Sequence, residues 1–239
     1  MEMPVIKQYI DLAAAEGWPY MLVDWQWYGP FDTPEADITR CASQIDIQEV
    51  ISYARQKGVK IWLWLYSSDA NRNDAYKEAF AIYEKWGVAG VKIDFMDRDD
   101  QQIEAFLERA ASTAARYHLV LDFHGIHKPT GLSRKYPNVL NYEGVFGLEQ
   151  LKWISADEVD MVKFDVTIPF VRFVAGPADY TQGAMRNATR GNYAPVYSEP
   201  MSQGTRCHQL AEYVVFDSPI NMLCDSPSNY LCEPECLSF

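Results

Sequence analysis

Asp94 is the residue whose position most directly suggests chemistry. It ends the apolar segment GVKID, which we predict to be a buried strand, so its carboxylate would project from the C-terminal end of that strand. Lys92 lies two residues earlier, and alternate side chains of a strand point to the same side. A cation there would keep the carboxylate ionised and could bind a sugar hydroxyl. Asp94 could therefore attack an anomeric carbon or activate a water, while a structural Lys–Asp ion pair fits the same spacing.

A second pair of carboxylates, Glu143 and Glu149, lies in the segment NYEGVFGLEQ. Gly144 and Gly147 allow a tight backbone path that could turn both side chains into one cleft. Two close carboxylates repel each other, so either one holds a proton or a cation lies between them. Calcium prefers oxygen ligands of this kind. The spacing is compatible with an acid, with a calcium site, and with an ordinary acidic pair on the surface.

Further polar and aromatic residues follow the predicted strands. Asp24 ends an apolar run with Trp25 and Trp27 beside it, and aromatic rings can cover the apolar faces of pyranose rings. His124 ends another run, and Lys128 follows it in FHGIHKPTG. We expect these five residues, together with Lys92, to bind sugar. For the two tryptophans, the alternative is that they pack in the core.

Helical and strand-like segments alternate along the chain, which is typical of a parallel α/β architecture. Helices are predicted near 4–17, 47–58, 73–86, 100–117, 157–164 and 203–216. Strands are predicted near 20–25, 60–66, 90–94, 119–124, 138–142, 171–175 and 221–224. Four of the strands run into a polar residue, namely Asp24, Asp94, His124 and Glu143. A barrel gathers its active site from such strand ends, although polar residues there also cap helices.

The fold class predicted from this order is α/β, a (β/α)8 TIM-type barrel that forms one catalytic domain over residues 1–239. The series begins with a helix and closes soon after a strand. We therefore expect the barrel to be incomplete, with its first strand and its last helix missing from the chain.

The charge of the chain disfavours two classes of partner. It carries 33 acidic against 21 basic residues, a formal net charge of −12, which repels nucleic acid and anionic lipid. No apolar run approaches the roughly 18 residues that a membrane-spanning helix needs. The five cysteines are scattered and show no zinc-knuckle spacing.

Several long motifs, in the same order, resemble glycoside hydrolase family 97. They are KIDFMDRDDQ, FHGIHKPTGLSRKYPNVLNYEG, FDVTIPFVRFVAGPADYTQGAM, GTRCHQLAEYVVFDSP and DSPSNYLCEPEC. The similarity covers nearly the whole chain, starting at YMLVDWQWYG. The resemblance implies a catalytic barrel flanked by an N-terminal β-sandwich and a small C-terminal β domain, both of which we expect to be absent from these residues.

The family contains inverting α-glucosidases and retaining enzymes that act on α-galactosides. The inverting branch carries a catalytic glutamate after the strand that here reads LDFHG, where this sequence has Gly125. The retaining branch uses an aspartate that matches Asp94 as nucleophile and a glutamate that matches Glu149 as acid/base. The resemblance therefore implies an exo-acting, retaining α-galactosidase. The alternatives are an inverting α-glucosidase of the same family and an inactive carbohydrate-binding remnant.

The resemblance also implies a calcium ion near the general acid. Glu143 and Glu149 are the candidate ligands in this chain, and other ligands come from the β-sandwich domain. The expected partner is an oligosaccharide or another α-galactoside, and the expected location is the periplasm or the exterior of the cell.

Overall fold

The computed structural model describes residues 2–239 and divides the chain into two compact units. The N-terminal unit runs to Ile126 and includes Gly131–Leu140. The C-terminal unit consists of His127–Thr130 and Asn141–Phe239. The single catalytic domain over 1–239 stays a prediction.

A parallel sheet forms the centre of the N-terminal unit. Its strands are β1 (Tyr20–Val23), β2 (Lys60–Tyr66), β3 (Gly90–Asp94), β4 (Val120–Phe123) and β5 (Val139–Tyr142). The strands follow one another in chain order across the sheet, and the last two residues of β5 belong to the C-terminal unit. Tyr66 pairs with Asp94, and Lys92 pairs with Asp122. Because β1–β4 are parallel, their C-terminal ends lie at one edge.

The helices before and between these strands follow from caps and apolar periodicity. They are α1 (Met3–Ala15), α2 (Ile47–Gln56), α3 (Ser67–Asn71), α4 (Tyr76–Trp86), α5 (Gln101–Arg116) and α6 (Leu132–Lys135). Asp46 accepts from the amide of Glu49 at the start of α2, and Asp100 caps α5 in the same way. Gly87, with φ of 88°, ends α4 in the left-handed conformation.

Strand β2 lies in the middle of the core, because its five central residues, 61–65, are all buried. Strands covered on both faces read as continuous apolar runs, which is why KIWLWLY shows no alternation. Trp62 packs against Gly90 so closely that a Cβ at position 90 would lie 2.4 Å from its ring. A glycine is therefore needed at the start of β3.

The C-terminal unit is built from short helices and irregular segments. These are α7 (Met161–Asp165), α8 (Ile168–Val171), α9 (Arg206–Val215), α10 (Pro227–Leu231) and α11 (Pro234–Leu237), with two-residue strands β6 (Asn187–Ala188) and β7 (Ser202–Gln203). Its core contains Leu148, Leu151, Met161, Ile168, Tyr180, Ala184, Tyr193 and Phe216. Among residues 2–239, no helix has the length and apolar character of a membrane span.

Five of the seven predicted strands are confirmed, and two predictions are wrong. Residues 171–175 are helical rather than extended, because Pro169 in the first turn of α8 favours helical φ and the chain continues into a 3-10 turn. Residues 221–224 form no strand. The backbone there makes an isolated hydrogen bond in place of a strand ladder: the amide of Cys224 donates to the carbonyl of Gln182 at 3.3 Å. The α/β class with a parallel sheet is confirmed.

Candidate active site

Asp94 lies at the C-terminal end of β3, with 14% of its side chain exposed. The backbone amide of Phe95 donates to its Oδ1 at 2.7 Å, and Trp64 Nε1 donates to its Oδ2 at 3.0 Å. Both carboxylate oxygens thus accept a hydrogen bond from a fixed donor. This geometry presents an oriented, partly exposed carboxylate at the edge where the strands end.

No site role was predicted for Trp64 from the sequence. It comes from β2, where position 66 pairs with Asp94, so its indole reaches the neighbouring strand end. The ring lies nearly parallel to those of Trp25 and Tyr28, with centroids 6.4 and 6.1 Å away. The alternation of WLW in β2 was the available signal, but it did not show which atom the indole would contact.

Lys92 and Asp24 form an ion pair with 3.6 Å between Nζ and Oδ2. The lysine side chain is 11% exposed and the aspartate side chain 42% exposed, so the pair lies at the surface end of the strands. Asp24 Oδ1 also accepts from the amide of Trp25 at 2.7 Å. The ion pair described for Lys92 is with Asp24, whereas the spacing suggested a pair with Asp94.

His124 is buried between two carboxylates of the N-terminal unit. Its Nδ1 lies 4.0 Å from Asp94 Oδ1, and its Nε2 lies 3.9 Å from Asp122 Oδ2. Asp122 is fully buried and was missed in the sequence, where it reads as an ordinary polar residue inside the strand VLDF. The imidazole thus links the candidate nucleophile to a buried acid.

The backbone beside Asp94 requires a glycine at position 125. Phe95 adopts a φ of 58° and Gly125 a φ of 54°. A Cβ at position 125 would lie 2.7 Å from both the Cα and the amide nitrogen of Phe95. A glutamate side chain therefore does not fit at Gly125 with this backbone.

The segment after β1 carries Trp25 at the surface and is anchored by Asp69. Tyr28 and the amide of Asp32 each donate to Asp69 Oδ2 at 2.9 Å. Burial raises the pKa of Tyr28 well above its usual value, so the phenol remains a donor. Trp25 is 44% exposed and available to a ligand.

The prediction for Trp27 is wrong. Its side chain is completely buried, and its Nε1 donates to the carbonyl of Trp64 at 2.6 Å. Its ring makes edge contacts with Tyr28, Tyr83 and Trp86. Trp27 is therefore a core residue that cannot contact a sugar.

The predicted residues of the C-terminal unit lie in the segments around β5. Glu149 is exposed in the first turn of the 3-10 helix Leu148–Lys152, with Lys152 Nζ 3.6 Å from its Oε1. Glu143 follows β5 and is half-buried, and Lys128 is exposed. A Cβ on Gly144 would lie 2.5 Å from the amide nitrogen of Lys128, so these two segments approach closely.

Arg172 holds the end of β5 through main-chain carbonyls. Its buried guanidinium donates to the carbonyls of Tyr142, Glu143, Gly144, Gly176 and Pro177 at 2.8–3.2 Å. Burial lowers its pKa to about 10, which still leaves it charged at neutral pH. This role was not predicted from the sequence, in which the same residue was expected to lie in a strand.

A second titratable cluster lies in the core of the C-terminal unit. His208 Nε2 is 3.0 Å from Asp165 Oδ2 and 3.0 Å from Glu212 Oε1, and Tyr180 donates to Asp165 Oδ1. The hydrogen bond to Glu212 is the main reason that the pKa of His208 rises to about 9. Burial raises the pKa of Glu212 to about 8 and also raises that of Asp165. In the sequence, His208 was as compatible with a structural role as with a functional one.

Comparison with known proteins defines the family. The sequence profile described as "Glycoside hydrolase 97" matches residues 1–145. The chain therefore belongs to glycoside hydrolase family 97, as its motifs implied.

Two curated relatives are named for the same reaction. A "Retaining alpha-galactosidase" of Bacteroides thetaiotaomicron is 56% identical over 236 residues, which is 99% of this chain and 35% of the relative. A "Probable retaining alpha-galactosidase" of Streptomyces bingchenggensis is 34% identical over 230 residues, covering 95% of this chain and 33% of the relative. The chain thus spans about a third of the length of these relatives.

Solved structures show the same fold. A glycoside hydrolase family 97 enzyme from Pseudoalteromonas sp. strain K8, in complex with panose, matches with a TM-score of 0.79 at 26% identity. The match covers 98% of this chain and 38% of that one. A β-arabinopyranosidase matches with a TM-score of 0.73 at 23% identity, over 97% and 37% of the two chains, which shows the fold alone.

Proposed function

We propose that this chain supplies the catalytic machinery of a retaining α-galactosidase that removes terminal galactose units. The observation that carries the proposal is the carboxylate of Asp94, which ends β3 with both oxygens hydrogen-bonded. The names of the two curated relatives support the substrate class. The backbone contact at Gly125 favours this branch over the inverting one, because it leaves no room for a glutamate there.

The proposed reaction is a double displacement. Glu149 donates a proton to the glycosidic oxygen as Asp94 attacks the anomeric carbon, and the bond to the leaving group breaks. The product of this step is a β-linked glycosyl-enzyme. Glu149 then takes a proton from a water, which attacks the same carbon and displaces the carboxylate of Asp94, so galactose leaves with its α configuration retained.

Further residues are proposed to bind the sugar. The Lys92–Asp24 pair offers a donor and an acceptor to sugar hydroxyls, and the exposed ring of Trp25 offers an apolar surface. His124 and Lys128 are the further candidates for hydroxyl binding. We also infer that the parallel sheet is part of an eight-strand barrel, with the remaining strands outside β1–β5.

A calcium ion is the cofactor that the family implies. Glu143 and Glu149 offer the hard oxygen ligands that calcium prefers, and a bound ion would supply positive charge near the leaving-group oxygen. Calcium takes six to eight such ligands, so further residues must complete the site. Calorimetric titration should therefore detect calcium binding, and Glu143→Gln should weaken it. Equal calcium affinity in the variant would show that Glu143 is not a ligand.

The proposed function is tested in a chimera. In this chimera, residues 1–239 replace the matching segment of the Bacteroides thetaiotaomicron relative. We expect it to hydrolyse an aryl α-galactoside at least about tenfold faster than the aryl α-glucoside, with α-galactose as the first product by proton NMR. Asp94→Asn should remove this activity, whereas Asp99→Asn, at an exposed acid nearby, should not. β-Galactose as the first product would contradict the proposal.

A further inference from the structure

Trp64 is the side-chain donor that the N-terminal unit places on Asp94. Its Nε1 lies 3.0 Å from Oδ2, on the carboxylate oxygen that the amide of Phe95 does not contact. A carboxylate with only the backbone bond could still rotate about its side-chain torsions. The indole bond fixes the second oxygen and so defines the plane of the carboxylate.

The indole itself is held on several sides. Trp64 is 1% exposed, and near-parallel rings of Trp25 and Tyr28 lie beside it. Phe31 and Phe95 meet its ring edge-on, with centroids 5.5 and 6.4 Å away. Its carbonyl accepts from the Nε1 of a buried tryptophan at 2.6 Å. The donor is therefore preorganised and cannot turn away from Asp94 without disturbing this aromatic cluster.

We propose that Trp64 is a positioning residue that orients the nucleophile for attack and steadies its charge when it leaves. The proposal rests on the function proposed above, in which Asp94 forms and then loses a bond to the anomeric carbon. Attack requires one carboxylate oxygen to point at that carbon, and fixed donors lower the reorganisation needed in the transition state. In the second step the carboxylate is the leaving group, and a hydrogen bond to it stabilises the charge that develops.

The test compares Trp64→Phe with Trp62→Phe in the chimera. Trp62 is also a buried tryptophan of β2, but its Nε1 has no hydrogen-bond partner within residues 2–239. Both variants lose comparable ring volume from the same strand, and only one loses a bond to Asp94. With an activated aryl galactoside we expect kcat to fall about 10- to 100-fold in Trp64→Phe, because the lost bond acts on a charged group. KM should fall along with kcat, since slow release lets the glycosyl-enzyme accumulate.

Rapid-mixing kinetics separate the two steps. With an aryl galactoside that has a good leaving group, Trp64→Phe should show a burst of phenol followed by slow turnover, because departure of Asp94 is slowed. Trp62→Phe should keep the parent rates to within about threefold, once the folded fraction is taken into account. Equal losses in the two variants would overturn the proposal, since they would show a packing effect only.

A second measurement does not depend on activity. In the proton NMR spectrum of the 239-residue chain, the indole N–H signal of Trp64 is assigned by its disappearance in Trp64→Phe. Asp94→Ala should shift this signal and speed its hydrogen exchange, while the indole signal of Trp27, which donates to a carbonyl, should stay in place. An unmoved Trp64 signal would overturn the proposal. An inactive parent chimera would instead count against the proposed function and leave this measurement to decide.

Discussion

Gly125 and Phe95 show how the backbone next to the nucleophile is constrained at the scale of single residues. Both have positive φ, and Phe95 is not a glycine, so the turn after β3 stores strain. The amide that this strained residue presents is the one that donates to Asp94. The close approach of Gly125 is therefore linked to the orientation of the carboxylate.

Gly125→Ala should destabilise the chain by about 3 kcal/mol or more, because a left-handed conformation and a collision with backbone act together. Gly58→Ala is the matched control. Its φ is 79°, but a Cβ there would meet nothing within 4 Å, so only the conformational cost of about 1 kcal/mol remains. Urea unfolding measures both changes. Equal losses would show that the contact with Phe95 is not as close as described.

The sequence predicted single residues well where a strand end fixed their position. Asp94, Asp24 and His124 were predicted to lie at strand ends, and they do lie at the ends of β3, β1 and β4. Prediction failed where a contact depends on the neighbouring strand. Trp27 and Trp64 look alike in the sequence, yet one is a core residue and the other donates to Asp94.

At the scale of elements, Arg172 acts as a tie between α8 and the end of β5. Its five carbonyl acceptors lie in two segments, 142–144 and 176–177, so a single side chain fixes both. No carboxylate appears among the partners described for it. Buried carbonyls that lose such a donor cost about 1–3 kcal/mol each when no water replaces it.

Arg172→Lys should therefore lower the free energy of unfolding by about 2–4 kcal/mol, since an ammonium cannot reach all five carbonyls. Hydrogen exchange should speed up most at residues 142–144 and 176–179. Arg190→Lys is the control, because Arg190 is exposed and donates to the carbonyl of Ala156 and to Asp160. If hydrogen exchange around the end of β5 were unchanged in Arg172→Lys, Arg172 would not be what holds these two segments together.

The cluster of Asp165, His208 and Glu212 predicts how stability depends on pH. The pKa of His208 is raised to about 9, so the folded state binds its proton more tightly than the unfolded state does. This contribution is complete below about pH 6.5 and is lost as pH rises through 9. The raised pKa of Glu212, about 8, acts in the same direction, because the folded state keeps a proton that the unfolded chain releases near its usual value of 4.5.

The free energy of unfolding should accordingly fall by on the order of 2 kcal/mol between about pH 6.5 and 9. Urea titrations at several pH values measure the slope. His208→Gln keeps a possible donor without a titrating ring and should make the slope smaller, leaving the part that Glu212 contributes. His118→Gln, at an exposed pair with Glu84, should leave it nearly unchanged. A wild-type protein that gains stability over this range would contradict the account.

The strand predictions failed at 171–175 because tertiary contacts override a local pattern there. FVRFV is rich in β-branched and aromatic residues, which favours a strand, but Phe170, Val171 and Val174 are 69–81% exposed while Arg172 is buried. Such a composition stabilises a strand only when the apolar side chains are packed. Three of the five carbonyls that bind the guanidinium belong to residues 142–144, which lie 28–30 residues earlier in the chain, and no local pattern could reveal them.

For the whole molecule, the alternation of helices and strands was enough to predict the parallel sheet, because each βαβ unit is a local pattern. The C-terminal unit was not predictable in the same way. Its elements have only two to ten residues, and its core is formed by residues far apart in the chain, such as Leu148 and Phe216. Sequence reasoning therefore reached the site around Asp94 more fully than the surroundings of Glu149.

The measurement that tests the central claim most directly is the stereochemistry of azide rescue in the chimera. In Asp94→Gly the nucleophile is absent, and azide should attack from the side that the carboxylate occupied and give the β-galactosyl azide. In Glu149→Ala an activated aryl galactoside still forms the covalent intermediate, since its leaving group needs little protonation. Azide should then attack the intermediate and give the α-galactosyl azide. The account predicts opposite anomers from the two variants; the same anomer from both, or near-normal hydrolysis by Asp94→Gly, would contradict it.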